Sequence, residues 1–127
     1  MSSARTLAIA GLLLALATAC GAFGAHTLRN QLAPERLQLW DTAVRYQFFQ
    51  ALGLIGVGLT LRTHDAGPLR LAALLLVAGV VLFSGSLYSL SLGAPRALGV
   101  LTPVGGLAWI GAWLLFAYAT WRGKGTC

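Results

Sequence analysis

The sequence predicts an all-α fold, an integral membrane four-helix bundle with an amphipathic interfacial helix between spans one and two. Three observations predict it. Of 127 residues, 57% are apolar and only 12 are Lys, Arg, Asp or Glu, well below the roughly one quarter charged that a soluble domain carries. Charge-free stretches of 23, 25 and 25 residues separate Arg5 from Arg29, Arg70 from Arg96 and Arg96 from Arg122; a helix needs only about 20 apolar residues to cross about 30 Å of hydrocarbon. The nine basic residues stand singly near the ends of these stretches, where anionic headgroups meet them. That placement makes the lipid bilayer the expected partner and speaks against nucleic acid.

Span one covers residues 6–25 and contains an ambiguity at LALATACGAFGAH. ATAC reads as a lipoprotein box that would be cut between Ala19 and Cys20. Against this, Ala17, Gly21 and Ala25 stand four apart and form a small-residue packing face across the supposed cut, so Cys20 is expected inside a retained helix. Cys20 and Cys127 make no metal or redox spacing and imply no disulfide.

The next segment changes character. Pro34 suits a first helical turn and Glu35 the positive end of its dipole. Leu37, Trp40, Val44 and Phe48 recur at helical spacing, with Glu35, Gln38, Asp41, Thr42 and Arg45 opposite. An amphipathic helix over residues 34–45 is expected to lie among the headgroups, then to turn into or run straight into span two. Asp41 and Arg45 have the acid-first i,i+4 order of a helix-surface ion pair.

Span two, residues 45–62, has only 16 uncharged residues between Arg45 and Arg62. That is about 24 Å of helix, which snorkelling arginines extend; a helix buried beneath the others is the alternative. RTHDAGP is a polar turn. Span three, residues 69–92, ends in SGSLYSLSLG, where Gly85, Ser89 and Gly93 fall on one face that would admit another helix. In span four, residues 98–121, Pro103 either kinks the helix or starts it with Thr102 as cap, and Gly105, Gly106 and Gly111 offer further close packing, as Gly21 does in span one. The whole chain, 1–127, is one membrane domain. Four spans put both termini on one side, and five basic residues there (Arg5, Arg62, Arg70, Arg122 and Lys124) against four opposite narrowly favour a cytoplasmic side in a multi-pass protein of the cell membrane.

Four motifs in order carry a resemblance: GAFGAHTL at Gly21 to Leu28, WDTAVRYQFFQALGL at Trp40 to Leu54, LFSGSLYSLSL at Leu82 to Leu92, and LGVLTPVGGLAWIGAW at Leu98 to Trp113. Together they resemble the small membrane proteins grouped as domain of unknown function 423, whose animal members are called transmembrane protein 256. The resemblance implies a four-helix membrane protein of no established activity. It also implies a departure, since members commonly carry His-Ala-Leu where this chain has Gln50, Ala51 and Leu52.

The chemistry-bearing residues are few. His26, at the end of span one, reads as a cap on the last carbonyls or as a proton-linked switch. Asp41 and Arg45, with His26 or Arg29 nearby, form the best charged constellation, although an arginine near the interface is more simply an anchor. Tyr46, Gln47 and Gln50 must bond to something inside a span; Ser84, Ser86, Ser89, Ser91 and Thr102 are the expected partners, either as helix glue or around a polar pocket between spans two to four. Glu35, Asp41 and Asp65 all lie outside the secure spans, which removes the acidic residue a proton- or sodium-coupled transporter usually needs. No nucleophile, base and orienting group assemble, and no His pair has metal or haem spacing. Neither catalysis, cofactor nor metal is therefore expected. A structural or accessory subunit working by helix packing, with itself or with a membrane partner, is the leading expectation. The rival is a small oligomeric channel or transporter.

Overall fold

The computed structural model describes residues 1–123; Lys124 and Cys127 lie outside the described residues. Helix α1 runs over Ser3–His26, started by the Ser2 hydroxyl, which accepts the Arg5 amide at 3.2 Å. A single 3-10 turn, Leu28–Asn30, leads to α2, Pro34–Thr63, with Pro34 at its first position where no amide is needed. At 30 residues α2 is about 45 Å long. Of the two continuations expected for the amphipathic helix over 34–45, the chain takes the straight one, and these residues are the first three turns of this rod. No glycine or proline interrupts those turns after Pro34, so nothing turns the chain at Arg45.

The third rod has an unpredicted interior. Helix α3, Gly67–Gly79, passes into a π-helical segment, Val80–Ser84, and then into α4, Gly85–Ser91. Gly93 ends it at a φ of +105°, with the Ala94 amide donating to the Ser89 carbonyl at 3.0 Å and the Gly93 amide to Leu90 at 3.2 Å. This is a Schellman termination, which a residue without a Cβ enters freely. A 3-10 turn, Arg96–Val100, then opens α5, Leu101–Gly123. Pro103 falls in the first turn, so it does not kink the helix, but Thr102, expected as the cap, lies inside the helix with its hydroxyl on Ser86.

The rods pack by close approach. Helices α1 and α2 run antiparallel, joined at one end by Ser3 Oγ donating to the Gly58 carbonyl (2.7 Å) and at the other by Trp40 Nε1 donating to the Cys20 carbonyl (2.8 Å). His64, at the end of α2, lies beside Gly123 at the end of α5, so the start of α1 and the end of α5 share one end of the bundle. The main core joins Ala10, Leu54, Val57, Leu69, Leu76, Val80, Trp109 and Ala112; a smaller one joins Leu28, Trp40 and Val44. Outward, the surface is apolar: Leu107 and Leu114 are each 67% exposed. That suits hydrocarbon, not water. Three rods are long and apolar enough to cross a membrane, within Ser3–Asn30, Gly67–Ser91 and Arg96–Gly123; α2 carries its charges toward its two ends.

Candidate functional site

Two polar constellations lie on neighbouring faces of α2, one around Gln47 and one around Gln50. The first is closed. Gln47, buried on α2, donates through Nε2 to the Leu13 carbonyl at 2.8 Å and accepts the Tyr88 hydroxyl at 2.7 Å, tying α1, α2 and α4 together. Tyr88 also meets the Trp40 ring edge-on, centroids 4.6 Å apart, and Ser84 donates to the Ala43 carbonyl at 2.8 Å. Farther along, Ser86 and Thr102 share a hydroxyl bond between α4 and α5. No buried side-chain nitrogen or oxygen among the described residues lacks a partner.

The second is open. A groove of about 500 Å³ between α2, Phe83 and α5 is lined by Tyr46, Gln50, Phe83, Gly106, Trp109, Ile110, Trp113 and Leu114. Its floor is aromatic: Tyr46 stacks on Trp109 at 10° with centroids 6.0 Å apart, and Phe83 tilts against Trp109 at 4.6 Å. Gln50 Oε1 accepts the Trp113 indole N–H at 2.9 Å, while its Nε2 and the Tyr46 hydroxyl have no hydrogen-bond partner among the described residues. An unpartnered amide facing hydrocarbon costs several kcal/mol in the least compensated case. The groove is thus suited to an apolar occupant that offers an acceptor.

Residues 20–106 match the model of a family described as a protein of unknown function, DUF423. The chain belongs to this family. Similar members include the UPF0382 membrane proteins SH2409 of Staphylococcus haemolyticus (44% identical over 102 residues, 80% of this chain and 83% of the relative) and YwdK of Bacillus subtilis (44% over 105 residues, 82% and 85%). The UPF0382 inner membrane protein YgdD of Escherichia coli is 34% identical over 106 residues, 84% of this chain and 81% of the relative. No solved structure matches.

In this DUF423 chain the residues singled out from sequence do not form one cluster. Gln47 and Ser84 belong to the closed constellation, Tyr46 and Gln50 to the groove, and Ser86 and Thr102 to each other. The glutamines bond to Leu13, Tyr88 and Trp113 and not to the expected serines, because those hydroxyls turn to carbonyls, Ser89 to Gly85 and Ser91 to Tyr88. His26, Asp41 and Arg45 are exposed, and the expected Asp41–Arg45 pair does not form; the ion pair found among the described residues joins Arg70 and Asp65 at 3.1 Å. Among the packing glycines, Gly21 faces Val44 and Gly105 sits on the Phe83 backbone, as expected of close-approach sites, whereas Gly106 meets Phe83 only at 4.0 Å. Nothing lies within 4 Å of a Cβ at Gly85, so the Gly85–Ser89 face is unused within the chain, and Gly93 serves the turn. Close approach extends to Gly24, within the GAFGAH motif, to Gly53, within WDTAVRYQFFQALGL, and to Gly79, which no sequence motif marks; the Trp40, Trp113 and Trp109 rings rest on them. Their signal was present as three tryptophans with no polar face to occupy.

Proposed function

We propose that this DUF423 protein is a small accessory subunit of the cytoplasmic membrane that works by packing against another transmembrane helix, with the α2–α5 groove as its docking surface. The observation that carries it is the contrast between a polar interior whose buried groups are satisfied within the bundle and a groove with a free amide on an aromatic floor. A through-pore needs polar groups aligned along a lumen, and here they are consumed in joining helices. No catalytic step is assigned to the chain.

The bilayer placement draws on the same surfaces. The first turns of α2 reach the headgroups, and Arg45, exposed next to Val44, snorkels there because side chains on α2 tilt toward its N-terminus. The side to which the sequence assigns Arg5, Arg62, Arg70, Arg122 and Lys124, five basic residues against the four of Arg29, Arg36, Arg45 and Arg96, is taken as cytoplasmic, and both termini go with it.

Solubilisation of native membranes in mild detergent followed by native electrophoresis tests the proposal. The wild-type chain is expected to migrate in a complex, and Gly106→Phe, which fills the groove, to release it as a monomer with unchanged helicity. A wild-type chain that is always a monomer contradicts it. An oligomeric channel would instead give flux in reconstituted vesicles that Gln50→Leu abolishes.

A further inference from the structure

The end of the bundle away from the termini carries a cleft separate from the groove. Arg36 lies in the first turn of α2 and Arg96 opens the 3-10 turn after α4, sixty positions apart in sequence. Gly93 brings them together. Its φ of +105° reverses the chain after α4 and sets Gly93 beside the Arg36 guanidinium, whose Nη1 would stand in ordinary contact, 3.5 Å, with a Cβ there. The resulting depression, about 460 Å³, is lined by Arg36, Leu39, Leu90, Ala94 and Arg96.

Neither guanidinium has an ion-pair or hydrogen-bond partner among the described residues. Glu35, adjacent to Arg36, pairs with neither, and the Arg70–Asp65 pair is at the opposite end. Two unneutralised arginines over a leucine floor combine charge with an apolar path. The planar guanidinium fork matches phosphate oxygens two at a time. Depth agrees: Leu39 precedes Trp40, which bonds Cys20 in the last two turns of α1, so the cleft opens where that rod reaches the headgroups. We propose that it binds the phosphate of an anionic amphiphile between Arg36 and Arg96, the acyl chain leaving along Leu39 and Leu90.

Native mass spectrometry of the full chain in neutral detergent, with dioleoyl phosphatidylglycerol and dioleoyl phosphatidylcholine in equal amounts, tests this. The wild type is expected to retain phosphatidylglycerol preferentially, and Arg36→Gln and Arg96→Gln each to weaken retention roughly tenfold, as loss of a charge-assisted bond does; Arg62→Gln at the other end is expected to leave it unchanged. A parallel arm replaces lipid with sodium phosphate. Retention of phosphate with no lipid preference, lost in the same two variants, assigns the cleft to a free anion and overturns the lipid part of the proposal. No preference for either probe, or a preference that both variants keep, overturns the site. Because both arginines are exposed, neither variant should disturb folding, which helicity by circular dichroism checks.

Discussion

Three indole rings rest against glycines, and the polar ends of the same rings are bonded nearby. Trp40 covers Gly24 and donates to Cys20, Trp109 covers Gly79 and donates to Leu76 at 3.2 Å, and Trp113 covers Gly53 and donates to Gln50. Each pair brings two helices together while satisfying the one polar atom the ring carries. A Cβ at Gly53 or Gly79 would overlap ring atoms that packing holds in place. Gly53→Ala and Gly79→Ala should therefore each destabilise the protein by about 1–3 kcal/mol. Gly56→Ala, where nothing lies within 4 Å of the new methyl, should be neutral or stabilising by up to about 1 kcal/mol through helix propensity. Unfolding titrations in mixed micelles measure all three. Tyr88→Phe, which strips Gln47 Oε1 of its donor, should cost about 0.6 kcal/mol, the average for a hydrogen bond between membrane helices. None of these pairings was legible in sequence. Periodicity assigns a residue to a face of its own helix, and which glycine receives which ring depends on how two rods are offset.

The rods themselves were legible, because a charge-free run of membrane length is costly to leave in water and matches the thickness of hydrocarbon. Alternation of polar and apolar faces over 34–45 was also legible as helix, but its continuity with span two was not. Trp40, which its spacing puts on the apolar face of a helix expected among the headgroups, is 6% exposed, held between Gly24 and Tyr88. The π-helical segment over Val80–Ser84 left no sequence signal, since it arises where Gly105 of α5 presses on the Phe83 backbone and the Gly79 carbonyl. Gly105→Ala should thus perturb this segment more than any alanine on the exposed side of α5, seen as faster amide exchange across residues 80–84. The Cys20 ambiguity belongs at this scale as well. Ala17 and Gly24 are buried on either side of it and its carbonyl holds Trp40, so cleavage before Cys20 would divide the α1–α2 seam. Intact mass of the membrane-extracted protein should correspond to the uncut chain; a species beginning at lipidated Cys20 would contradict that.

At the scale of the whole molecule, the bundle satisfies the buried polar side chains of the described residues and leaves an aromatic groove with an unpaired amide. The candidate site was half legible: Tyr46 and Gln50 stood out in the sequence as polar groups needing partners, while Trp109, Ile110 and Leu114 read as ordinary span residues and gain their meaning only from facing α2. Photo-crosslinking in native membranes tests the docking surface most directly. A benzophenone side chain replaces Ile110, 59% exposed in the groove, and in a second variant Leu12, 65% exposed on α1. The groove position should yield a discrete protein adduct, to a second copy or to a partner helix, that Gly106→Phe removes, and the α1 position should yield lipid adducts alone. Equal lipid labelling at both positions, with no protein adduct from Ile110, would contradict a role in helix docking.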